Sequence, residues 1–348
     1  MSRYIFYLLI LFLSTQLGKH LWPDFAYVQG LKIDYLSPTI YLTDILVFGI
    51  FVSFLPKILS SLSRLSHLRY LWLIGSATIF LFLSSLFALN PNLSFLKLLK
   101  IFELIFLGYY LSRESGKFIS LKNIILLLSL TAFYESILAV WQFINQASIG
   151  GLWWFLGERT FNASTPGIAQ AIINGELLLR PYGTFPHPNV LGGYMAIILP
   201  IILFYLLNTK HQLLATKFYF AAVFLLGSIA LFLSFSRTAW IAGSFGLITL
   251  LLFLSKKKIK ALVILLVVLF IGFMTTGNII VSRLQTLESV DNKSLVVRQQ
   301  LNDVSLKMIS DKLLFGVGLN NFLVVLPQYF QLKEVVRFYQ PAHNIYLM

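Results

Sequence analysis

The sequence predicts an all-α, polytopic integral membrane protein with about nine transmembrane helices and a large, partly helical outer loop. Composition is the first observation behind this prediction. Of the 348 residues, 58% are hydrophobic and only 11% are charged, and the mean hydropathy is +0.82. A water-soluble domain does not need so much apolar surface. The chain also contains no cysteine, which excludes disulfides and thiolate metal ligands.

The second observation is a series of apolar stretches separated by polar gaps. Crossing a bilayer requires roughly 17–25 mostly apolar residues, and about nine stretches reach this length. The first stretch follows Arg3, as a signal peptide would, but no small-residue cleavage site comes after it and more spans follow, so we interpret it as a span. The predicted spans lie near 4–22, 39–56, 70–89, 94–112, 121–145, 189–207, 217–235, 238–255 and 261–277.

The third observation is the location of the positive charge. If the N-terminus is cytoplasmic, most of the net charge of +14 falls in gaps on the cytoplasmic side, whereas the short outer gaps near 90–93 and 234–237 hold only Arg237. This asymmetry predicts the orientation and explains the basic balance without a nucleic-acid partner. The predicted segments are 1–145 (membrane helices), 146–277 (membrane helices with an outer motif loop at 146–188) and 278–348 (a large outer loop leading into a truncated last helix).

Three polar stretches on the predicted outer face are candidates for chemistry. Each directly precedes a helix that would run inward, with Asn189, Ser236 and Asn344 as the expected caps of those helices. A helix N-terminus presents unpaired N–H groups and the positive end of the macrodipole, so it favours anions. The stretches are "RPYGTFPHPNVLGGY" at Arg180–Tyr194, "SFSRTAW" at 234–240 and "PAHNIYLM" at 341–348.

Cationic side chains stand beside these three helix starts, namely Arg180, Arg237 and His343. The planar fork of arginine suits a diphosphate, and a histidine can accept a proton near neutral pH. Simpler interpretations stay open, because an arginine at the end of a span is often a snorkelling anchor and His187 is plausible as a turn residue only. Glu135, a lone carboxylate within a span, is either buried against another helix or part of a pathway.

No metal and no other cofactor is predicted. The aspartates form no Asp-x-Asp pair, and no His-x-x-x-His or Glu-x-x-His spacing occurs. A metal-dependent transferase would need carboxylates near the phosphates, where this chain places arginines.

The three motifs, together with "LLFGVGLNNF" before the last one, resemble the O-antigen ligase and O-antigen polymerase family of bacterial envelope proteins in order and spacing. The resemblance covers most of the region from about residue 165 onward, while the first 145 residues are similar only in being a string of spans. Members of this family usually continue with further spans after the His-Asn motif. The chain is therefore expected either to be a fragment or to receive its last helices from elsewhere, and a product that ends at Met348 is expected to be inactive by itself.

The resemblance implies a membrane glycosyltransferase that is inverting and metal-independent. It would take a glycan from an undecaprenyl-diphosphate carrier at the outer face of the bacterial cytoplasmic membrane, with the N-terminus in the cytoplasm. The acceptor hydroxyl would belong to a lipid A-core sugar, to another carrier-linked repeat unit or to a protein serine. The implied partners are thus the carrier-linked donor, the acceptor and the lipid bilayer, with no nucleic acid.

The resemblance also assigns roles to residues. Arg180 and Arg237 match the arginines that would hold the carrier diphosphate, and His343 matches a histidine that is either a base or part of the diphosphate site. The expected substrate-binding residues are His187, Asn189, Arg298 and Asn344.

The alternative function is a transporter or channel for a small anion or solute. Some distant relatives carry such names, and a helix bundle with Glu135, Lys97 and Lys100 within its spans would fit that class. A transporter should place its polar residues near the midplane, often in broken helices. Here the informative residues crowd at one face, which favours the enzyme.

Overall fold

The computed structural model describes residues 1–61, 71–173, 175–208, 213–253, 291–330 and 341. These ranges are mostly helical, with three two-stranded antiparallel sheets that pair β1 with β4, β2 with β3 and β5 with β6. The strands are β1 Gly18–His20, β2 Tyr27–Val28, β3 Leu31–Lys32, β4 Thr39–Tyr41, β5 Gln170–Ile173 and β6 Glu176–Leu179. The helices are α1 Ser2–Leu11, α2 Leu42–Ser61, α3 Leu71–Leu86, α4 Pro91–Glu114, α5 Leu121–Asn145, α6 Pro188–Asn208, α7 Leu214–Leu233, α8 Arg237–Phe253, α9 Asp291–Asp311 and α10 Phe322–Tyr329.

Four helices within the described ranges are long and apolar enough to cross a membrane: Leu42–Ser60, Leu121–Asn145, Pro188–Asn208 and Leu214–Leu233. They coincide with four of the predicted spans. Helix α8 is apolar but has 17 residues, and α4 carries several charges along its length. The predicted span at 261–277 lies outside the described residues. The protein is thus a helical membrane protein, and the total of about nine spans stays a prediction.

The first predicted span, near 4–22, is wrong in length, because α1 ends at Leu11. Polar residues after the helix find partners that replace helical hydrogen bonds. The hydroxyl groups of Ser14 and Tyr134 lie 2.6 Å apart, and the Thr15 hydroxyl donates to the carbonyl of Leu156 at 2.7 Å. The predicted span therefore extends too far, into a polar segment that begins after Leu11.

Two compact units divide the chain. The first unit contains Met1–Ser2, Gly18–Glu114 and Leu287–Met348, and the second contains Arg3–Leu17 and Ser115–Thr286. The predicted division at residues 145 and 277 stays a prediction about chain segments.

The core of the second unit forms where α5, α6, α7 and α8 contact one another. Two glycines allow close approach of these helices. A Cβ added at Gly227 would lie 2.7 Å from Leu199, and one at Gly192 would lie 2.6 Å from the Ser234 hydroxyl. Small residues at such contacts are typical of helices packed within a membrane, where they let neighbouring helices approach closely.

The core of the first unit lies where the segment with β2 and β3 packs on α9 and α10. Buried Asn321 connects the start of α10 to the start of α4. Its side chain accepts the backbone N–H of Asn90 at 2.7 Å and donates to the Ser94 hydroxyl at 2.9 Å. The turns between α9 and α10 contain Gly316 (φ +63°) and Gly318 (φ +95°), both in the left-handed conformation that glycine adopts readily.

Candidate functional site

The first motif loop, residues 180–187, connects strand β6 to helix α6 in the second unit. The β5–β6 hairpin positions the start of this loop, because the backbone N–H of Arg180 continues the hairpin hydrogen bonds with a bond to the Ala169 carbonyl at 3.0 Å. The backbone N–H of Leu179 donates to the Gln146 side chain at 2.6 Å. The entry to the loop is therefore held on both sides before the first motif residue.

Helix α5 holds the middle of the loop by hydrogen bonds from Gln142, which is fully buried. Its side-chain oxygen accepts the backbone N–H groups of Tyr182 at 2.9 Å and Gly183 at 2.8 Å. Its side-chain nitrogen donates to the Gly183 carbonyl at 3.0 Å and to Glu158 at 2.8 Å. All four hydrogen-bonding positions of this amide are used, which is what a buried polar side chain requires.

Glu135, two turns earlier on α5, binds the next residue of the loop. Its carboxylate accepts the backbone N–H of Thr184 at 2.9 Å and contacts the Thr184 hydroxyl at 2.5 Å. That hydroxyl also lies 2.9 Å from the carbonyl of Ser14. The lone carboxylate predicted within a span is thus a buried partner of the loop.

The segment after α5 closes over the same loop. Glu158 is buried and accepts the backbone N–H groups of Ile149 at 2.8 Å and Gly150 at 2.7 Å, besides its bond from Gln142. The neighbouring Arg159 is exposed, donates to the Pro186 carbonyl at 2.8 Å and lies 5.2 Å from the ring centre of Tyr182. A third arginine therefore stands at the loop, and the sequence analysis did not select it.

Arg180 connects the first motif to the second. The side chain is nearly buried, at 8% exposure, and its Nε and Nη2 donate to the Ser234 carbonyl at 2.9 and 2.7 Å. Nη2 also donates to the Asn189 side chain at 2.5 Å. Because Ser234 precedes Arg237 by three residues, Arg180 lies at the turn that starts helix α8. Each of these bonds involves a charged donor, which makes it stronger than a neutral pair.

The start of α6 differs from the prediction that Asn189 caps it. The helix begins at Pro188, which suits the first position because its missing N–H would have no helical partner there. The residue before it is His187, whose Nδ1 accepts the backbone N–H of Asn189 at 3.1 Å and whose carbonyl accepts that of Val190 at 2.9 Å. His187 occupies the cap position, and the Asn189 side chain is turned to Arg180 instead.

The start of α8 agrees with the predicted cap position. Ser236 directly precedes the helix, and its carbonyl accepts the backbone N–H of Trp240 at 3.0 Å. The turn before it contains Phe235 in a left-handed conformation with φ +50°, and the Trp240 indole N–H donates to the Leu231 carbonyl at 3.0 Å. These contacts fix where Arg237 enters the helix.

The structure therefore brings Arg180, Asn189 and the turn before Arg237 together, with His187 at the adjacent helix start. Arg298 is exposed on α9 of the first unit. His343 and Asn344 lie outside the described residues. Catalytic and binding roles for all seven residues stay predictions. In the described part of the chain, no three His, Asp or Glu side chains converge as metal ligands would.

Sequence reasoning missed the residues that hold the loop: Gln142, Glu158, Thr184 and Ser234. A signal for one of them existed, because Glu135 and Gln142 are seven residues apart in an apolar helix and so share a face. Two polar residues on one face of a membrane helix indicate a common partner.

The comparisons with known proteins give one match. Residues 221–348 match the model of the O-antigen ligase family (Wzy_C). A search of curated proteins finds no match, and a search of solved structures finds none either. The matched part includes Arg237, whereas Arg180 and the rest of the first motif precede it. The match confirms the resemblance stated from the motifs and supports a membrane enzyme of the O-antigen ligase or polymerase type.

Proposed function

We propose, from the match of residues 221–348 to the O-antigen ligase family, that this chain is a glycosyltransferase of the bacterial cytoplasmic membrane. It moves a glycan from an undecaprenyl-diphosphate carrier to an acceptor hydroxyl at the outer face of that membrane. The transfer inverts the anomeric centre and requires no metal ion. The acceptor is a glycolipid, a glycan or a protein hydroxyl.

The observation that carries the proposal is the bond between the two arginine motifs. Arg180 donates to Ser234 and to Asn189, so the first motif loop, the start of α6 and the turn before α8 are held together. Two helix N-termini near one another favour a bound anion more than either alone. A diphosphate is the anion that the carrier would present there.

The proposed reaction uses these groups in a single displacement. The acceptor oxygen attacks the anomeric carbon of the donor sugar, the bond from that carbon to the diphosphate oxygen breaks, and the hydroxyl proton passes to a base. His343 is the proposed base or a partner of the diphosphate. Arg237 and Arg180 stabilise the charge that develops on the leaving diphosphate, as positioned donors do in transition states.

The two arginines contribute differently. The Nε and Nη2 of Arg180 already bind Ser234, so this side chain fixes the geometry of the motifs and adds positive charge rather than presenting that edge to a ligand. Arg237 is only partly buried at the beginning of α8. We therefore propose Arg237 as the principal diphosphate contact.

The transporter alternative loses one of its supports. A carboxylate on a transport pathway should exchange with solvent or ions, whereas Glu135 is fully buried and binds two groups of Thr184. Its hydrogen bonds explain its presence within a span without a pathway.

The direct experiment replaces the arginines and measures transfer of a labelled glycan in membranes that contain the protein. Arg237→Ala should lower the rate by a factor on the order of 10²–10³, because one charge contact in the transition state is lost. Arg237→Lys should recover only part of the rate, since a lysine lacks the planar fork. Lys122→Ala, an exposed lysine on α5, is the control and should leave transfer unchanged. Near-normal transfer by Arg237→Ala would return this arginine to the class of membrane anchors.

Two further measurements test the setting of the reaction. Activity of the purified protein should persist in excess EDTA, and a loss that magnesium restores would contradict the metal-free mechanism. Tags at 165–173 should report the exterior, and tags at 114–118 should report the cytoplasm. A cytoplasmic report from 165–173 would separate Arg180 from any carrier glycan on the outer face.

A further inference from the structure

A cavity of about 690 Å³ in the first unit is not used by the proposed reaction. We call it the α2–α4 cavity, because it lies beside the first turns of α2, the first half of α4 and the segment 34–41. Its volume falls within the range of sites for small ligands. Its walls carry both apolar and charged side chains.

The apolar part of the wall comes from two helices, α2 and α4. Ile45 and Phe48 of α2 and Leu96 and Leu99 of α4 line the cavity, and each of these side chains is more than a third exposed. Because Ile45 and Phe48 belong to a helix that is long and apolar enough to span a bilayer, hydrocarbon chains are the natural neighbours of this side. The apolar wall therefore suits the tail of a lipid.

Three of the charged groups form a closed network. The Lys100 ammonium contacts the Asp44 carboxylate and lies 3.6 Å from the Glu103 carboxylate. Asp44 also accepts the backbone N–H of Tyr41 at 2.8 Å. One ammonium thus serves two carboxylates, which leaves an excess negative charge on this wall.

Two other charged groups on the cavity wall have no ionic partner. Lys97 lies one turn before Lys100 on α4 and, in the described part of the chain, forms no hydrogen bond or ion pair through its ammonium group. The Asp34 carboxylate likewise has none within the described ranges. The cavity is therefore lined by an unpaired cation (Lys97), an unpaired anion (Asp34), a charge network with one excess negative charge and several apolar side chains.

We propose that the α2–α4 cavity binds a zwitterionic phospholipid whose head carries a phosphate and a primary ammonium, as in phosphatidylethanolamine. The Lys97 ammonium binds the phosphate, and Asp34 with the Asp44–Glu103 side receives the head-group ammonium. The acyl chains leave along Ile45 and Leu99. A purely anionic lipid would add its charge to a wall where three carboxylates face only two ammonium groups, and a choline head has no N–H to donate.

The test measures lipid binding by the purified full chain in detergent, using native mass spectrometry to count retained lipids. Phosphatidylethanolamine should bind about tenfold more tightly than phosphatidylglycerol or phosphatidylcholine. Each of the other two lipids lacks the hydrogen bond from a head-group ammonium, and the loss of one charge-assisted hydrogen bond weakens binding by about that factor. Equal retention of the three lipids, or a preference for phosphatidylglycerol, would overturn the proposal. This comparison needs no variant and does not depend on glycan transfer.

Variants then locate the site. Lys97→Gln should weaken phosphatidylethanolamine binding about tenfold, and Asp34→Asn should reduce its preference over phosphatidylglycerol to about threefold or less. Lys122→Gln and Asp24→Asn, exposed residues that do not line the cavity, are the matched controls. If Lys97→Gln and Asp34→Asn both bind like the controls, the lipid lies elsewhere and the proposal fails.

A final arm distinguishes a membrane lipid from a free head group. Soluble phosphoethanolamine at millimolar concentration should not displace the bound lipid, because the apolar wall contributes most of the affinity. Displacement at that concentration would show that the charged wall alone recognises the head group, and the assignment to a lipid would be overturned.

Discussion

The first motif loop and the α2–α4 cavity both contain several charged groups, but they differ in whether those groups have protein partners. In the loop, Glu135, Glu158 and Arg180 are each buried and each bound to at least two protein groups. In the cavity, Lys97 and Asp34 are exposed and have no protein partner within the described residues. The loop satisfies these charges internally, whereas the cavity pairs Lys100 with Asp44 and Glu103 but leaves Lys97 and Asp34 open to a ligand.

The difference follows from the cost of burial. A charge removed from water without a partner loses several kcal/mol of solvation, so buried charges must be paired. Once paired, they hold a backbone segment in one conformation, which is how α5 shapes the loop at 182–184. An exposed charge has no such requirement and remains available. The comparison predicts that substitutions in the loop change stability and that substitutions in the cavity change binding.

Of the predicted substitutions, Gly183→Ala should destabilise the loop most. The φ of Gly183 is +61°, and a Cβ there would collide with the Glu135 carboxylate. Gly183→Ala should lower the free energy of unfolding by about 3 kcal/mol, from backbone strain and steric conflict together. The measurement is the thermal midpoint of the purified protein in detergent.

The matched control for this substitution is Gly175→Ala. Gly175 has a φ of +87°, but nothing lies within 4 Å of its added Cβ. It should therefore show only the strain of the left-handed conformation, about 1 kcal/mol. Equal effects at the two glycines would mean that the contact with Glu135 does not constrain the loop.

Gln142→Ala should have the next largest effect. It leaves the backbone N–H groups of Tyr182 and Gly183 without an acceptor in a buried place, and we expect a loss of about 2–3 kcal/mol. Asn123→Ala, at an exposed position of the same helix, removes one exposed hydrogen bond to the Tyr7 hydroxyl and should change stability by no more than about 0.5 kcal/mol. A Gln142 variant as stable as the Asn123 variant would remove the basis for a rigid loop.

Glu135→Gln should be tolerated, with a loss of about 1 kcal/mol or less. The amide oxygen can accept the Thr184 backbone N–H, and the amide nitrogen can donate to the Thr184 hydroxyl, whose own proton then goes to the Ser14 carbonyl. Thermal stability and glycan transfer should both persist in this variant. Loss of transfer with intact stability would give Glu135 a chemical role and revive the pathway interpretation.

The smallest effects on stability should come from the cavity. Lys97→Gln and Asp34→Asn remove exposed charges without a protein partner, so each should shift the free energy of unfolding by about 0.5 kcal/mol or less in lipid-free detergent. A loss as large as that of Gln142→Ala would show that these charges are structural. The contrast between the two regions would then disappear.

Several features of this protein could be predicted from its sequence because they depend on composition and local pattern. A run of apolar residues of sufficient length must form a helix in a membrane, so Leu121–Asn145 was predicted to the residue. The stretch 189–207 was within one residue of the observed Pro188–Asn208 at each end. The family resemblance also came from the order of short motifs, and the match of residues 221–348 confirms it.

The tertiary structure alone decided which polar groups meet. No local rule indicates that Arg180 bonds to Ser234, 54 residues later, or that Gln142 holds Gly183, 41 residues later. The cap of α6 shows the same limit: Asn189 has the better intrinsic preference, but Arg180 competes for its side chain and His187 takes the cap position. Hydropathy determines that a segment is buried, whereas the partner of a buried polar atom depends on which other chain segments folding brings within 3 Å of it.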